Sequence, residues 1–372
     1  MTTTRRTLLL AGASLPLAGV AFGQQRSITI GYQLPLTGEF SQYGERFRNS
    51  AVMALDAFNR SSRIPAQVNI LFEDTRSDPR EAVAVARKFV DNRDIVAVLG
   101  DFSSSAAIQA GRVYAEAGMP QLSQTASHPD YVKISPWQFR NITTQAYEGP
   151  HVARWMANSG VKRVAVVSIQ NDWGQSVVSN FVDAFKATGG EVVATQMYNP
   201  GNREFRAVLT DIARQRPDAI YIGMFYEDGA AFLQQKRQLN LRAPVYGTSS
   251  MYEPKLIELA GPGAEGMFLS TTFMSDSPEP HVRAYVEEYR RRFNSDPNMF
   301  SAQAFDAVNI MLEAIARTWP DVTRQRVRDE LAKTKDFPGV TGATTFDPET
   351  REPAKTLARM RIQDGKFTLI TN

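Results

Sequence analysis

The order of the secondary-structure patterns constrains the fold of this chain more than any other feature of its sequence. From Ser27 onward, short runs rich in β-branched residues alternate with stretches whose apolar side chains recur at helical spacing. The first series comprises residues 28–32, 42–59, 68–72, 79–92 and 95–100. Strands that alternate with helices in this way predict a parallel sheet covered by helices.

The same plan is then repeated along the chain. A second series comprises residues 164–168, 176–188, 191–198, 204–215 and 219–223, and a third stretch has helical patterns at 281–293, 301–319 and 323–333 and a strand pattern at 357–363. Single hydrophobic cores stop growing near about 250–300 residues. We therefore expect two doubly wound α/β lobes, with ligands bound outside the carboxyl ends of the strands.

The N-terminus has the pattern of an export signal. Arg5 and Arg6 precede a short apolar stretch, and small residues surround Gly23, where we place the cleavage point. The pair also resembles a twin-arginine signal, although Leu10 stands where that pattern usually has lysine. Residues 1–23 are thus expected to be removed. Since no later segment reaches the roughly 20 apolar residues that span a bilayer, the exported chain is not expected to be membrane-embedded.

Composition excludes several classes of function. The chain has no cysteine, which excludes disulfides, thiolate metal sites and a lipid-modified N-terminal cysteine, and favours a free periplasmic protein. Its three histidines, His128, His151 and His281, lack metal-ligand spacing, so neither a zinc enzyme nor any cofactor is predicted. Arg5 and Arg6 contribute to the net charge of +3. The exported chain is nearly neutral, which gives no reason to expect nucleic acid as a partner.

Two hydroxyl-rich segments follow neighbouring strand patterns. Residues 103–105 are three serines after the run 95–100, and residues 123–129 follow the run 119–122. Free N–H groups at the start of a helix favour a carboxylate, and hydroxyls add further donors. The two turns therefore predict a carboxylate-binding rim. Helix capping and ordinary polar loop chemistry are the alternative explanations.

A series of motifs resembles the periplasmic leucine/isoleucine/valine-binding protein family. They include GYQLPLTG at 31–38, DWG at 172–174 and DGKF at 364–367. Further matches lie at residues 43–44, 74–79, 100–105, 139–140, 217–221, 253–260, 264–266 and 303–307. The similarity spans essentially the whole exported chain, in the order of the family.

This resemblance implies the type I periplasmic binding protein fold, with two doubly wound parallel-sheet lobes joined by three crossovers and closing by hinge motion. Lobe 1 would comprise residues 26–144 plus 275–348, and lobe 2 residues 145–274 plus 349–372. The implied function is to capture a small amphipathic carboxylate, a branched-chain or other hydrophobic amino acid, for the permease and ATPase of an ABC importer. A ligand-sensing module with a separate membrane partner is the alternative from another class, because the same fold serves receptors.

Transferred by position, the resemblance also implies a carboxylate site. Ser104, Thr125 and Ser127 would hold the carboxylate, with Ser103 and Ser105 as neighbours that a shift in the alignment would promote.

Aromatic and crossover residues complete the implied site. Tyr43 would line the pocket for the ligand side chain, and Phe225 or Tyr226 would close over it from the second lobe. Gln145 and Tyr147, in the first crossover, would neighbour the ligand. The alternatives are loop packing for Tyr43, a core position for Phe225 and an exposed linker for the crossover pair.

One departure from the family concerns the ligand ammonium. Branched-chain amino acid binders of the family carry an acidic residue in a loop that here reads GTSSM at 247–251, with Ser249 near the expected position. Glu227 or Asp228 would supply the missing charge, unless these acids mark a solvated helix start. Otherwise the ligand is an aromatic or aliphatic carboxylate without an amino group.

Enzymatic functions find little support in the motifs. Residues 261–266 match G-x-G-x-x-G, but they follow a helical pattern and precede a strand pattern, the reverse of a dinucleotide fingerprint. The sequence contains neither a P-loop nor a G-x-S-x-G elbow. A serine hydrolase built on Ser104 lacks a recognisable base. We therefore predict a binding protein and not an enzyme.

Overall fold

A computed structural model describes residues 27–353 and 355–371. The export signal predicted for residues 1–23 lies outside this range. No helix in the described part of the chain is long and apolar enough to cross a membrane.

The first lobe is an α/β layer structure. Its elements are β1 (Ser27–Leu34), α1 (Ser41–Ser61), β2 (Gln67–Asp74), α2 (Pro79–Asp91), β3 (Ile95–Leu99), α3 (Ser104–Glu116), β4 (Gln121–Ser123) and β5 (Gln138–Arg140). The five strands form a parallel sheet in the order β2-β1-β3-β4-β5. Helix α1 buries Phe47, Ala51, Ala54 and Phe58 along one stripe, which is the stripe that the sequence pattern predicts.

The second lobe repeats the alternation. Its elements are α4 (Gln145–Asn158), β6 (Arg163–Ile169), α5 (Asp172–Ala187), β7 (Glu191–Tyr198), α6 (Arg206–Gln215), β8 (Ala219–Gly223), α7 (Tyr226–Gln238), β9 (Val245–Gly247), α8 (Pro254–Ala260) and β10 (Phe268–Thr271). Strands β6 to β10 are parallel to one another where they pair.

The chain then returns to the first lobe before it ends in the second. The remaining elements are α9 (Pro280–Phe293), α10 (Met299–Thr318), α11 (Arg324–Ala332), β11 (Phe337–Gly339), β12 (Gly342–Thr344), β13 (Ala358–Gln363) and β14 (Lys366–Leu369). Helix α10 packs against α1 of the first lobe. Strand β13 joins the edge of the second sheet, antiparallel to β10, and the order there is β14-β13-β10-β9-β8-β6-β7. The chain therefore passes three times between two lobes, as the type I fold requires.

Helix starts follow local capping chemistry. The side chain of Asp78 accepts hydrogen bonds from the N–H groups of Arg80 and Glu81, as its position before Pro79 predicts. Helix α5 starts at Asp172, four residues earlier than its apolar pattern suggests, because the Asn171 side chain accepts from the first turn. The loops after β3, β4, β6, β8 and β9 all leave the carboxyl ends of their strands, so they meet in the cleft between the lobes.

Candidate ligand-binding site

A cavity of about 250 Å³ lies between the two lobes. The hydroxyl-bearing residues that line it are Ser77, Ser103, Ser104, Ser105, Thr125, Ser127, Ser249 and Ser250. Amides come from Gln145 and Asn171, and apolar groups from Phe40, Pro79, Phe102, Ile142, Trp173, Pro200, Phe225, Met299 and Phe300. No charged side chain of the described residues lines this cavity. A charged ligand would be held there by hydrogen bonds and not by direct ion pairs.

The three residues of the first serine turn, Ser103, Ser104 and Ser105, have different hydrogen-bonding roles. Ser103 is the N-cap of α3, and its hydroxyl accepts a hydrogen bond from the Ala106 N–H. The Ser104 hydroxyl accepts from the backbone N–H of His128 at 3.3 Å, which leaves its own O–H free to donate. The N–H groups of Ser104 and Ser105 begin the helix and have no intrahelical acceptor. The turn thus offers several donors to a carboxylate, and the capping explanation applies to Ser103.

The second turn is braced from within the first lobe. The Thr125 hydroxyl donates to the carbonyl of Phe102 at 2.9 Å, so toward a ligand it can only accept. The buried Arg140 guanidinium donates to the carbonyls of Ala126 and His128 at 2.7 and 2.9 Å and fixes the loop that carries Ser127. Ser127 is therefore placed at the cavity by contacts that a ligand does not need to supply.

A buried carboxylate supports the first serine turn from behind. Asp101 accepts from the hydroxyls of Ser77 and Thr75, at 2.6 and 2.5 Å, and from the Gln33 amide at 3.3 Å. It also accepts from the Phe102 N–H at 2.6 Å. Burial raises the pKa of Asp101, and these hydrogen bonds oppose the rise. Asp101 holds the turn in shape but does not line the cavity.

Aromatic rings from both lobes form the apolar part of the cavity. Phe102 and Phe225 have ring centroids 5.3 Å apart, and Trp173 stacks on Phe225 at 5.0 Å. Tyr43 is 1% exposed and does not line the cavity, because it lies behind Phe102, on which it stacks at 4.6 Å. Tyr226 packs edge-on against Tyr43 at 5.7 Å and also stays outside the lining. The structure thus brings Phe225 to the cavity and leaves the two tyrosines in the layer behind.

The two crossover residues, Gln145 and Tyr147, lie in different environments. Gln145 is buried and lines the cavity, whereas Tyr147 is 45% exposed and borders a groove with Glu352 and Lys355. Two helical positions further on, the Tyr147 side chain points away from the face that carries Gln145.

The two acids considered as partners of an ammonium lie away from the cavity lining. Asp228 accepts from the Tyr198 hydroxyl at 2.7 Å and from Arg203 at 3.0 Å. Glu227 forms an ion pair with Arg203 at 2.7 Å. Ser249 does line the cavity, on the loop where the family has its acid. Both acids are thus occupied by a neighbouring arginine, and neither turns inward.

Glu148 is a functional candidate that the sequence patterns do not reveal. It is completely buried beside the cavity and accepts from the Ser249 N–H at 2.6 Å and the Ser270 hydroxyl at 2.6 Å. Its other oxygen accepts from the Gln145 amide at 3.0 Å and the Ser249 hydroxyl at 3.3 Å. Burial raises the pKa of Glu148, and the hydrogen bonds oppose the rise.

Other lining residues were within reach of sequence reasoning. Trp173 belongs to the DWG motif, and Phe102 interrupts the hydroxyl-rich turn, so both carried a signal. Phe300 did not, because it sits at the start of α10, far along the chain. Among the described residues, no group of three or more histidine, cysteine, aspartate or glutamate side chains is arranged to hold a metal ion.

Comparisons with known proteins agree with this architecture. A leucine-, isoleucine-, valine-, threonine- and alanine-binding protein of Pseudomonas aeruginosa is 26% identical over 341 residues, 90% of each chain. A crystal structure from Rhodospirillum rubrum, described as a branched-chain amino acid ABC transporter, is 47% identical with a TM-score of 0.73 and covers 92% of this chain and 100% of its own.

A second solved structure carries a ligand. The branched-chain amino acid transporter substrate binding protein LivJ of Streptococcus pneumoniae, in complex with isoleucine, is 25% identical with a TM-score of 0.85, over 92% of this chain and 99% of its own. The model of the family described as periplasmic binding protein matches residues 27–366. Since that match covers nearly all of the sequence, this chain belongs to the periplasmic binding protein family.

Proposed function

We propose that this chain is the periplasmic solute-binding component of an ABC importer, and that it captures a small amphipathic carboxylate between its lobes. The observation that carries the proposal is the composition of the cavity wall. One part presents serine hydroxyls at the start of α3, and another presents aromatic rings from both lobes. A ligand with a carboxylate head and an apolar body satisfies both parts.

The carboxylate end is assigned to the first lobe. The free O–H of Ser104 and the first N–H groups of α3 converge there, and the helix dipole adds favourable potential for an anion. Ser127 lies on the neighbouring turn, which Arg140 holds in place. Ser103 contributes mainly by capping the helix.

The apolar end is assigned to the rings. Phe102, Phe225 and Trp173 form a continuous cluster of rings that lines the cavity, in which Trp173 stacks on Phe225 and Phe102 is tilted against Phe225. A volume of about 250 Å³ suits a ligand of amino-acid size. A hydrophobic amino acid and an aromatic or aliphatic acid without an amino group both fit this description.

A hydrolytic function is disfavoured by the surroundings of Ser104. His128 meets it through a backbone N–H, while the ring Nδ1 of that histidine accepts from the Asp130 N–H at 3.1 Å. No described contact places a base on the Ser104 hydroxyl. Ester turnover by the purified protein, lost in Ser104→Ala, would instead establish an enzyme.

The proposed function is tested by identifying the natural ligand. Freshly purified protein is denatured, and the released small molecules are analysed by mass spectrometry. We expect a carboxylate with an apolar body, and its affinity is then measured by titration calorimetry with ligand-free protein. Recovery only of amines or sugars without a carboxylate would contradict the proposal. Genes for a permease and an ATPase beside this gene would support import over sensing.

A further inference from the structure

Glu253 is a buried carboxylate of the second lobe that is hydrogen-bonded to two residues of the first. It precedes α8, which packs against α7, and it accepts from the Lys255 N–H at 3.2 Å as the cap of that helix. Its Oε1 accepts from the Arg46 guanidinium at 2.9 Å, and its Oε2 accepts from the amide of Asn298. Arg46 lies in α1, and Asn298 caps α10, which packs against α1. The contact therefore joins the two lobes.

Burial makes this contact sensitive to the loss of either partner. The side chains of Glu253 and Arg46 are 1% and 13% exposed. Taking one of them away leaves the other as a buried charge without compensation, which costs far more than the loss of a surface ion pair. Separation of the lobes would relieve this cost, because it returns the remaining charge to water. A broken pair thus favours separated lobes.

Each member of the contact is also held from within its own lobe. Arg46 donates to the Asp296 carbonyl at 2.9 Å, and Asn298 accepts from the Ser301 N–H at 2.8 Å as the N-cap of α10. Glu253 has its own cap bond to α8. These bonds do not cross between the lobes, so they can persist when the lobes separate. The three groups would stay oriented, and the contact could form again without local refolding.

The contact lies beside the cavity but outside its lining. Phe300 and Ser250 line the cavity, and they are close in sequence to Asn298 and Glu253. The members of the contact are not themselves among the lining residues that the structure describes. Whatever free energy they contribute is therefore independent of the chemistry of the ligand.

We propose that Arg46, Asn298 and Glu253 form a latch that holds the two lobes together over a bound carboxylate. This inference rests on the proposed function, since it requires a ligand enclosed between the lobes. The three are positioning residues and do not touch the ligand. Because the latch favours the closed arrangement by the same factor for every ligand, it raises all affinities alike and leaves ligand choice to the cavity wall.

The latch acts after the ligand has entered. A contact that forms only when the lobes come together does not guide a ligand in, but it delays its escape. The gain in affinity should therefore appear as a slower dissociation rate. A merely structural role would instead lower the fraction of protein that binds and would leave the dissociation rate of the remainder unchanged.

The first test breaks the ion pair from either side, with Glu253→Gln and with Arg46→Gln. Leucine and 4-methylpentanoate share a carboxylate and a branched body and differ in the α-amino group, and phenylalanine offers a larger body. We expect each variant to weaken every one of these ligands that binds the native protein by about the same factor, 10- to 100-fold. Calorimetry should show an unchanged stoichiometry, and stopped-flow fluorescence of Trp173, which lines the cavity, should show faster dissociation.

The matched control is Arg292→Gln. Arg292 is 16% exposed and pairs with Asp56, so this ion pair lies within the first lobe. Its loss should change each affinity less than about 3-fold. Unchanged affinity in the folded latch variants, a changed ratio between leucine and 4-methylpentanoate, or a lower stoichiometry without faster dissociation would overturn the latch and leave the proposed function intact. Failure of all three carboxylates to bind the native protein would contradict both.

The second test keeps the helix cap and reverses the contact between the lobes. In Asn298→Asp the side chain can still cap α10, since aspartate and asparagine are equally good N-caps, but its carboxylate repels that of Glu253. We expect every affinity to fall at least about 10-fold. Adding Glu253→Gln replaces the repulsion with an amide donor, so the double variant should bind about 10-fold more tightly than Asn298→Asp alone. Absence of this recovery would overturn the latch, and the pair of variants decides the question even if Arg46→Gln does not fold.

Discussion

Behind the cavity wall, one buried carboxylate from each lobe supports lining residues, and these two carboxylates differ in what they support. Asp101 of the first lobe accepts hydrogen bonds from Ser77, Thr75, Gln33 and the Phe102 N–H, all within its own lobe. Glu148 of the second lobe accepts from the cavity residues Gln145 and Ser249. Burial raises the pKa of both groups.

The difference lies in the polar atoms that remain available to a ligand. Around Asp101 the hydrogen-bond donors belong to the turn and to neighbouring strand ends. Their hydrogen bonds to Asp101 are all formed within the first lobe. Around Glu148 the amide oxygen of Gln145 is left buried and without a partner. A carboxylate thus stabilises the shape of a turn in one lobe, and in the other it holds two residues that line the cavity. Changes at either carboxylate should therefore have separable effects on stability and on ligand choice.

The largest effect is expected at Asp101. In Asp101→Asn the amide NH₂ faces hydroxyl and N–H donors, and several buried groups lose their acceptor. We expect the free energy of unfolding to fall by about 2–4 kcal/mol, measured by urea denaturation. Binding should weaken alike for leucine and 4-methylpentanoate. A selective loss of leucine binding would show that Asp101 also affects the choice between the two ligands, and would remove the contrast with Glu148.

The next effect separates the two serines that Asp101 supports. Ser104→Ala removes a hydroxyl donor to the carboxylate, so binding of every carboxylate should weaken about 10- to 100-fold with stability nearly unchanged. Ser103→Ala is the matched control, because it removes the N-cap of α3 and should cost about 1 kcal/mol of stability. Calorimetry and urea denaturation of both variants distinguish the roles. Unchanged affinity in Ser104→Ala would contradict its assignment.

The framework of the molecule was accessible from the sequence. The alternation of patterns predicted both sheets, and the hydroxyl turns predicted which loops reach the cavity, since Ser104 and Ser127 follow strand ends. Local chemistry decides such features, because capping and apolar spacing are written within a few residues. The sequence did not predict that Phe102, and not Tyr43, lines the cavity. The two rings are stacked, and the packing between helices and strands decides which of them faces the cavity.

Glu148 is a buried residue beside the cavity that the sequence patterns did not predict. In the sequence it is a glutamate in the first turn of a helix, where such residues usually face solvent and favour the helix dipole. Its burial depends on the ends of β9 and β10, which bring Ser249 and Ser270 to it from more than 100 positions away. Long-range assembly of this kind leaves no periodic signal in the chain.

A smaller effect is expected from a residue that contacts neither carboxylate. Phe225 stacks on Trp173 and packs against Phe102 at a tilt. Phe225→Ala should weaken leucine and 4-methylpentanoate binding equally, by about 1–2 kcal/mol, because it removes apolar contact without altering charge. Calorimetry on both ligands provides the measurement. A change in the ratio of the two affinities would mean that the rings also distinguish the α-substituents of the two ligands.

The smallest expected effect is a dependence of ligand choice on pH. Because burial raises the pKa of Glu148 above its usual value of 4.5, the unliganded protein retains that proton to higher pH than an exposed glutamate does. A ligand ammonium near Glu148 would favour the ionised form of this carboxyl group. Leucine binding should therefore release a proton at pH values where Glu148 of the unliganded protein is still protonated. The affinity for leucine, divided by that for 4-methylpentanoate, should therefore rise severalfold as the pH increases from the usual glutamate pKa of 4.5 toward neutrality. The raised pKa of Asp101 affects both ligands equally and cancels in the ratio. Calorimetry at several pH values measures it, and Glu148→Gln should abolish the slope. A ratio that stays constant in the native protein would indicate that Glu148 does not change its protonation near the ligand, which would reduce it to a bracing group like Asp101.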